Sequence, residues 1–229
     1  MPDNGFWGDL ETPAALVDVD RMEANLRSAG EYRTQRKISD RPHANTHKAS
    51  ALALQQLAVG AVGFTVATPR EAEVMAQVSD DILLAYPPIG PAKLARFLAL
   101  PEETRLTVAL DSTFALQTLA QEARKRGRTV DVLIEIDVGM ERVGVRTPEE
   151  ILRLALEAAD TEGVSYRGVL FYPGHIRTQA SEQEPAIQAL SQAMSVFLDT
   201  LEEAGLPPPV VSGGSTPTFY RSHLMTGVT

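Results

Sequence analysis

The sequence predicts an α/β fold, a (β/α)8 TIM-type barrel that lacks its eighth strand. Three observations carry that expectation. Short β-branched runs alternate along the chain with longer amphipathic ones. The short runs are apolar on both sides, which calls for parallel strands covered by helices. No GxGxxG follows the first run, so an open, doubly wound dinucleotide-binding sheet is the weaker alternative.

Taken in order, the strand candidates are "ALVDV" (15–19), "RPHAN" (41–45), "VGFTVA" (62–67) and "DILLAY" (81–86), then "LTVAL" (106–110), "VDVLIEID" (130–137), "YRGVLFY" (166–172) and "PVVSG" (209–213). Setting aside the first leaves seven strands of βα type, one short of the eight that close a barrel. Helix starts show as a capping residue three before a glutamate: Asp20 with Glu23, Thr68 with Glu71, Thr147 with Glu150, and Ser181 with Glu184. Pro69 and Pro148 occupy the first helical position in two of these. Gly127 and Gly205 suit the ends of helices near 113–126 and 184–204. No linker or repeat interrupts the alternation, so residues 1–229 read as one domain. The closing "RSHLMTGVT" contains no eighth strand. A barrel short of one strand has two unpaired edges, and the expectation is that the chain is part of something longer.

Composition bounds the function. The chain has 229 residues, 44% hydrophobic and 22% charged, with a formal net charge of −9. With a pI near 5.0, nucleic acid and anionic membrane are disfavoured as partners. There is no cysteine, which removes thiolate metal sites and a cysteine nucleophile. The start, "MPDNGFWGDLE", has no apolar core of a signal peptide, and the apolar stretch 51–67 is broken by Gln55, Gln56 and two glycines. A cytoplasmic location is the expectation.

In a barrel, chemistry collects at the C-terminal ends of the strands. Those positions hold His43 and Asn45, Ala67 and Thr68, Asp111 and Ser112, Asp137 with the following "VGMERVG", "FYPGH" (171–175) and "SGGSTPT" (212–218). The last reads either as an anion cradle of backbone N–H groups with the Ser215 and Thr216 hydroxyls, or as a plain Gly/Ser/Pro turn. In "EIDVGMERVGV" (135–145), Arg142 is either a planar donor for a phenolate or carboxylate or a surface arginine. Tyr172 and His175 flank a Pro-Gly turn, the one able to stack on a ring and the other to titrate near neutrality. His43 and His47 are four apart, but no third ligand accompanies them, so no metal site is expected from this chain alone.

Together, "LETPAALVDVDRMEANL", "RPHANTHK", "GAVGFTVATPREAEVMA", "IDVGMERVGV", "FYPGH" and "SGGSTPT", in that order, resemble the D-threonine aldolase and D-serine dehydratase branch of the alanine-racemase-like (fold type III) pyridoxal-phosphate enzymes. The resemblance implies a barrel of the alanine racemase N-terminal type followed by a β-rich domain, which is absent here together with the family's divalent metal ligands. It implies a homodimer and a small amino acid substrate. In the family, the segment matching 41–48 reads RPHxKTHK, and its first lysine forms the Schiff base with the cofactor aldehyde. Here that position is Asn45, whose amide nitrogen is delocalised into its carbonyl and is no nucleophile. Lys48, three residues on, is not expected to replace it.

The resemblance further implies that Arg142 faces the cofactor's 3′ oxygen and that Tyr172 lies by the ring. Gly213, Gly214, Ser215 and Thr216 would hold the phosphate, and His43, His47 and His175 would surround the reactive centre. The implied reaction is retro-aldol cleavage of β-hydroxy-D-amino acids to glycine and an aldehyde, lost in this form through Asn45. A D-serine dehydratase-like lyase and a non-catalytic pyridoxal-phosphate-binding module are the alternatives.

Overall fold

The computed structural model describes Gly8 and residues 10–229. Of the opening "MPDNGFWGDLE", only Gly8, Leu10 and Glu11 fall among them.

Six parallel strands form one sheet in sequential order. They are β1 (Phe64–Val66), β2 (Asp81–Leu84), β3 (Arg105–Leu110), β4 (Val130–Ile136), β5 (Val164–Phe171) and β6 (Val210–Gly213). The helices α1 (Val19–Arg36) and α2 (Ser50–Ala58) precede β1. Strands β1 to β5 are each followed by one helix: α3 (Pro69–Met75), α4 (Pro91–Leu98), α5 (Thr113–Lys125), α6 (Pro148–Asp160) and α7 (Glu184–Glu203). Strand order never reverses, and that is the winding of a barrel rather than of an open doubly wound sheet.

Residues 41–45 take the place next to β1 as a seventh, weakly paired member. His43 forms a single parallel bridge with Thr65, supported by Ala44 N–H to Thr65 O (2.8 Å) and Thr65 N–H to Pro42 O (3.0 Å). Proline at 42 has no N–H to give, and the chain turns immediately after His43, so the ladder stops there.

Alternation along the strands separates two cores. The larger lies between sheet and helices and includes Phe64, Val66, Ile82, Leu84, Val108, Leu110, Val132, Ile134, Val169 and Phe171, all buried. A thin inner layer is made by Leu83, Ala109, Leu133 and Leu170 with Val210 against them. The registers Ala109↔Leu133 and Glu135↔Leu170 place Glu135 on that same inner face, one step nearer the C-terminal end. Thr107 and Asp131, paired in register, lie on it one step nearer the N-terminal end. Between Val132 and Leu133 the register shifts against β5, leaving Arg167 as the extra residue of a bulge.

Helix boundaries follow side-chain capping where the sequence provides it. Thr68 Oγ1 accepts the Glu71 N–H (3.2 Å) and starts α3. Thr147 and Glu150 form a reciprocal capping box at α6, with Pro148 in the first turn. After α5 and α7, the N–H groups of Arg128 and Leu206 return to Ala123 O (3.0 Å) and Leu201 O (2.8 Å), closing each helix around Gly127 and Gly205.

Three expectations need correction. Residues 15–19 form no strand: α1 begins at Val19, and residues 14–18 have no ladder partner among the described residues. The cap of that helix is Asp18, not Asp20, because the Asp18 carboxylate reaches the Arg21 N–H (3.1 Å). Ser181 does not cap α7. It lies in a short 3₁₀ turn (Ala180–Glu182), after which Gln183 is the N-cap and makes no side-chain cap bond.

Helix α1 and the segment after β6 meet. Tyr32 of α1 bonds His223 Nδ1 through its hydroxyl (2.9 Å) and accepts the His223 N–H (3.1 Å). Its ring packs on Phe219 and Tyr220, with centroids 5.3 Å apart in each case. The ends of the incomplete barrel are therefore tied by aromatic contacts rather than by backbone pairing.

Candidate functional site at the C-terminal rim

Because every strand runs the same way, every strand's C-terminal end opens at one rim. His43, Asn45 and His47 lie there after residues 41–45, Arg142 after β4, Tyr172 and His175 after β5, and Gly213 to Thr216 at and after β6. The loops after β4 and β5 touch, and Tyr86, after β2, joins them. The Arg142 guanidinium lies over the rings of Tyr86 (5.2 Å) and Tyr172 (5.3 Å), each within cation–π range. The His175 imidazole lies against Gly139, where a Cβ would sit 3.3 Å from its Cε1. Among the described residues, no hydrogen bond or ion pair joins the Asn45 turn to the 213–216 loop.

The basic cluster of 41–50 does not stay together. Arg41 turns to the opposite end of the strands and grips Asp81, at the start of β2, through Nε (2.7 Å) and Nη2 (2.8 Å). It is thus no part of the rim: the registers His43↔Thr65 and Thr65↔Leu83 put Arg41, two residues earlier, level with the start of β2. Beyond His43 the chain makes one tight turn, closed by Lys48 N–H to Ala44 O (2.8 Å), and Lys48 adopts a left-handed backbone (φ 50°). The Lys48 ammonium pairs with Glu71, whose other oxygen accepts the Ala67 N–H (2.8 Å). Burial alone would raise the Glu71 pKa, but these partners hold it below its ordinary value. Lys48 is therefore engaged against α3 and not at position 45.

The histidines of the turn are oriented by backbone donors. His43 Nδ1 accepts the Asn45 N–H (3.2 Å), and His47 Nδ1 accepts the Ala49 N–H (3.1 Å). A ring nitrogen that accepts carries no proton, so each neutral ring bears its hydrogen on Nε2. Burial pushes the His43 pKa down, which keeps the ring neutral near pH 7. His47 Nε2 is buried and meets no partner. The Asn45 side chain is exposed, with Thr46 Oγ1 donating to its Oδ1 (3.3 Å).

At β4, two carboxylates with different fates sit two residues apart. Asp137 Oδ1 accepts the N–H groups of Gly139 (3.0 Å), Met140 (2.9 Å) and Glu141 (3.0 Å), and Arg146 lies 3.2 Å from Oδ2. Burial would raise its pKa, yet these donors hold it below the usual carboxylate range. Asp137 therefore shapes the loop that presents Arg142. Asp111 assists by accepting the Gly144 N–H (3.0 Å). Glu135 is 4% exposed, and its carboxyl makes no hydrogen bond among the described residues. Burial raises its pKa to about 7, Arg142 opposing, Asp111 and Asp137 reinforcing.

The 212–218 loop is tighter than its sequence suggests. A Cβ on Gly213 would run into the Phe171 ring, and Gly214 has φ 139°, a region that disfavours other residues. Ser215 turns inward: its N–H donates to Thr218 Oγ1 (3.2 Å), and the two hydroxyls bond each other (2.9 Å). The N–H groups of Gly214 and Thr216 meet no acceptor among the described residues.

Sequence reasoning missed Tyr86, Glu135 and Thr218. Tyr86 ends a recognised strand candidate, so its rim position was readable. Glu135 is the inward, charged residue one step before the rim, and an ionisable side chain within an apolar strand is the signal. Thr218 stands three after Ser215 in a Pro turn, the spacing of a side-chain-closed loop.

Comparison with known proteins places this arrangement. Residues 17–228 match the family described as alanine racemase, N-terminal domain. The chain belongs to that family. Within it, the chain falls in the D-threonine aldolase-like branch of fold type III pyridoxal-phosphate enzymes. It is 35% identical over 211 residues to a D-threonine aldolase of Arthrobacter sp., covering 90% of this chain and 55% of that protein. It is 36% identical over 227 residues to the D-threo-3-hydroxyaspartate dehydratase of Delftia sp., covering 96% and 59%. The crystal structure of D-threonine aldolase from Filomicrobium marinum superposes with a TM-score of 0.90 at 29% identity, over 95% of this chain and 60% of that one. The chain therefore spans somewhat more than half the length of these relatives. The family's barrel agrees with the six sequentially ordered strands.

Proposed function

We propose that this chain is the barrel portion of a pyridoxal-phosphate lyase that cleaves β-hydroxy-D-amino acids to glycine and an aldehyde, and that Asn45 leaves it holding the cofactor without a covalent bond. The supporting observation is that Asn45 and a loop with two unengaged N–H groups open at the same end of one parallel sheet. The resident groups fit such a cofactor. Gly214 and Thr216 N–H suit phosphate oxygens. Arg142 pairs with no carboxylate among the described residues and lies beside Tyr172, which suits an anionic ring oxygen.

When bound, pyridoxal phosphate supplies a protonated ring that draws electrons from the substrate's α-carbon. The chain's own residues bind and orient. Arg142 neutralises the ring oxygen, and the two tyrosines limit the motion of its guanidinium. His43 presents Nε2–H as a donor, because a backbone N–H occupies its Nδ1, whereas the Nε2 of His47 is buried. His175 is exposed at the rim and meets no backbone donor among the described residues, so it would be the imidazole left to take the substrate's hydroxyl proton on a ring nitrogen. The dehydratase relative supports the same substrate class with a different bond broken. Asn45 itself favours a second reading, a non-catalytic module that retains the phosphorylated cofactor.

The test is covalent capture. Incubated with pyridoxal phosphate and then borohydride, the Asn45→Lys variant gains a pyridoxyl mass on residue 45, whereas the unaltered chain gains none there. A folded Asn45→Lys chain with no adduct refutes the assignment of this position. Aldehyde release by Asn45→Lys joined to a C-terminal domain of this branch would separate the lyase from the binding module.

A further inference from the structure

The 213–216 loop lacks an obvious clamp on its outer half. Ser215 and Thr218 close its base, but Pro217 carries no N–H and breaks the local hydrogen bonding. What holds Pro217 comes from elsewhere. Gln183, 1% exposed at the start of α7, donates both hydrogens of its Nε2 to carbonyls, one to Thr178 O (2.9 Å) and one to Pro217 O (3.0 Å). Two carbonyl acceptors fix the orientation of the amide, since its own oxygen could face neither. Its Oε1 is buried and meets no donor.

One side chain thus joins three pieces of the rim. Thr178 follows the turn that carries Tyr172 and His175, Pro217 belongs to the glycine loop, and Gln183 itself opens α7. A buried amide with one end unsatisfied carries a desolvation cost, so its two donated bonds must be held by packing rather than by solvent exchange.

We propose that Gln183 is a positioning residue for anion recognition: by tying Pro217 to Thr178 it holds the loop with the Gly214 and Thr216 N–H groups aimed outward, so that phosphate meets a preformed cradle. Ser215 then contributes through its bond to Thr218 and not as a free donor. The inference rests on the reading of this loop as a phosphate site.

The experiment uses pyridoxine 5′-phosphate and pyridoxine as probes, because neither has an aldehyde to react with lysines. Equilibrium dialysis with the full chain gives the affinity for each, and their ratio isolates the phosphate from general effects on the ring pocket. The unaltered chain prefers the phosphorylated probe. Gln183→Met keeps the length and volume but loses both donors, and the preference falls about tenfold, the scale of a lost pair of buried hydrogen bonds. The affinity for pyridoxine stays within about twofold. Gln183→Glu keeps the shape, sets a carboxylate against two carbonyls, and gives the same loss of preference should the apolar variant fail to fold. A folded variant of either kind with the original preference overturns the role of Gln183. An unaltered chain with no preference overturns the phosphate site itself, a separate result.

Discussion

The two ends of this sheet treat charge in opposite ways. At the N-terminal end, Arg41 grips Asp81 with two short bonds, Arg105 approaches the same carboxylate (3.7 Å), and Arg167 approaches Asp131 (3.7 Å). Nearby, Arg33 pairs with Asp40 (3.0 Å). At the C-terminal rim, among the described residues, Arg142 has two tyrosine rings and no carboxylate partner, the Glu135 carboxyl is buried without a hydrogen bond, and two N–H groups of the glycine loop meet no acceptor. One end satisfies its polar groups internally and so stabilises the fold. The other satisfies only some of them, Asp137 through three N–H groups and Arg146, and leaves Arg142, Glu135 and the two loop N–H groups without such partners among the described residues. This is the division of labour expected between the two faces of a barrel.

Substitutions can break or sharpen that contrast. The largest effect belongs to Asp81→Ala, which strands Arg41 at the barrel floor. It lowers unfolding free energy by about 3 kcal/mol in urea titration, and a loss near zero would erase the distinction between the ends.

Glu135→Gln comes next, and its effect depends on pH. The folded-state pKa of Glu135 stands near 7, above its ordinary 4.5. Between those values the folded chain binds more protons at this site than the unfolded one, so the site's contribution to stability falls as pH rises through that window. Below it both states are protonated, and above it both are ionised. The advantage of Glu135→Gln over the unaltered chain therefore grows from pH 4.5 to 7 and then levels off. Parallel melting curves at several pH values check this, and a constant difference contradicts the buried, unpaired state of Glu135.

The smallest change is Arg142→Ala. It removes a cation stacked at the rim and shifts stability by less than about 1 kcal/mol. It also moves the Glu135 window to higher pH, because Arg142 is the group that opposes the rise. A large loss of stability would show that Arg142 is structural and not held for a ligand.

Much of the fold was legible because local chemistry and global winding agree. Thr68 and Thr147 cap their helices through the bonds their spacing suggests, and six of the strand candidates recur within a few residues. "ALVDV" shows the limit. It has strand composition, but a strand exists only where a neighbour completes its ladder, and among the described residues none lies beside residues 15–19. The rim was legible as a set of strand ends. Its internal arrangement was not, because a run such as "RPHANTHK" does not reveal that Arg41 faces one end of the sheet and Lys48 a helix.

By itself, then, the order of apolar runs, caps and turn residues determined the winding and the end at which the loops gather. Only the tertiary structure decided which polar groups are consumed: Arg41 by Asp81, Lys48 by Glu71, Ser215 by Thr218, Pro217 by Gln183. The reason is physical. Local geometry follows from neighbours in the chain, whereas the pairing and burial of a charge depend on residues dozens of positions away that packing brings within hydrogen-bond reach.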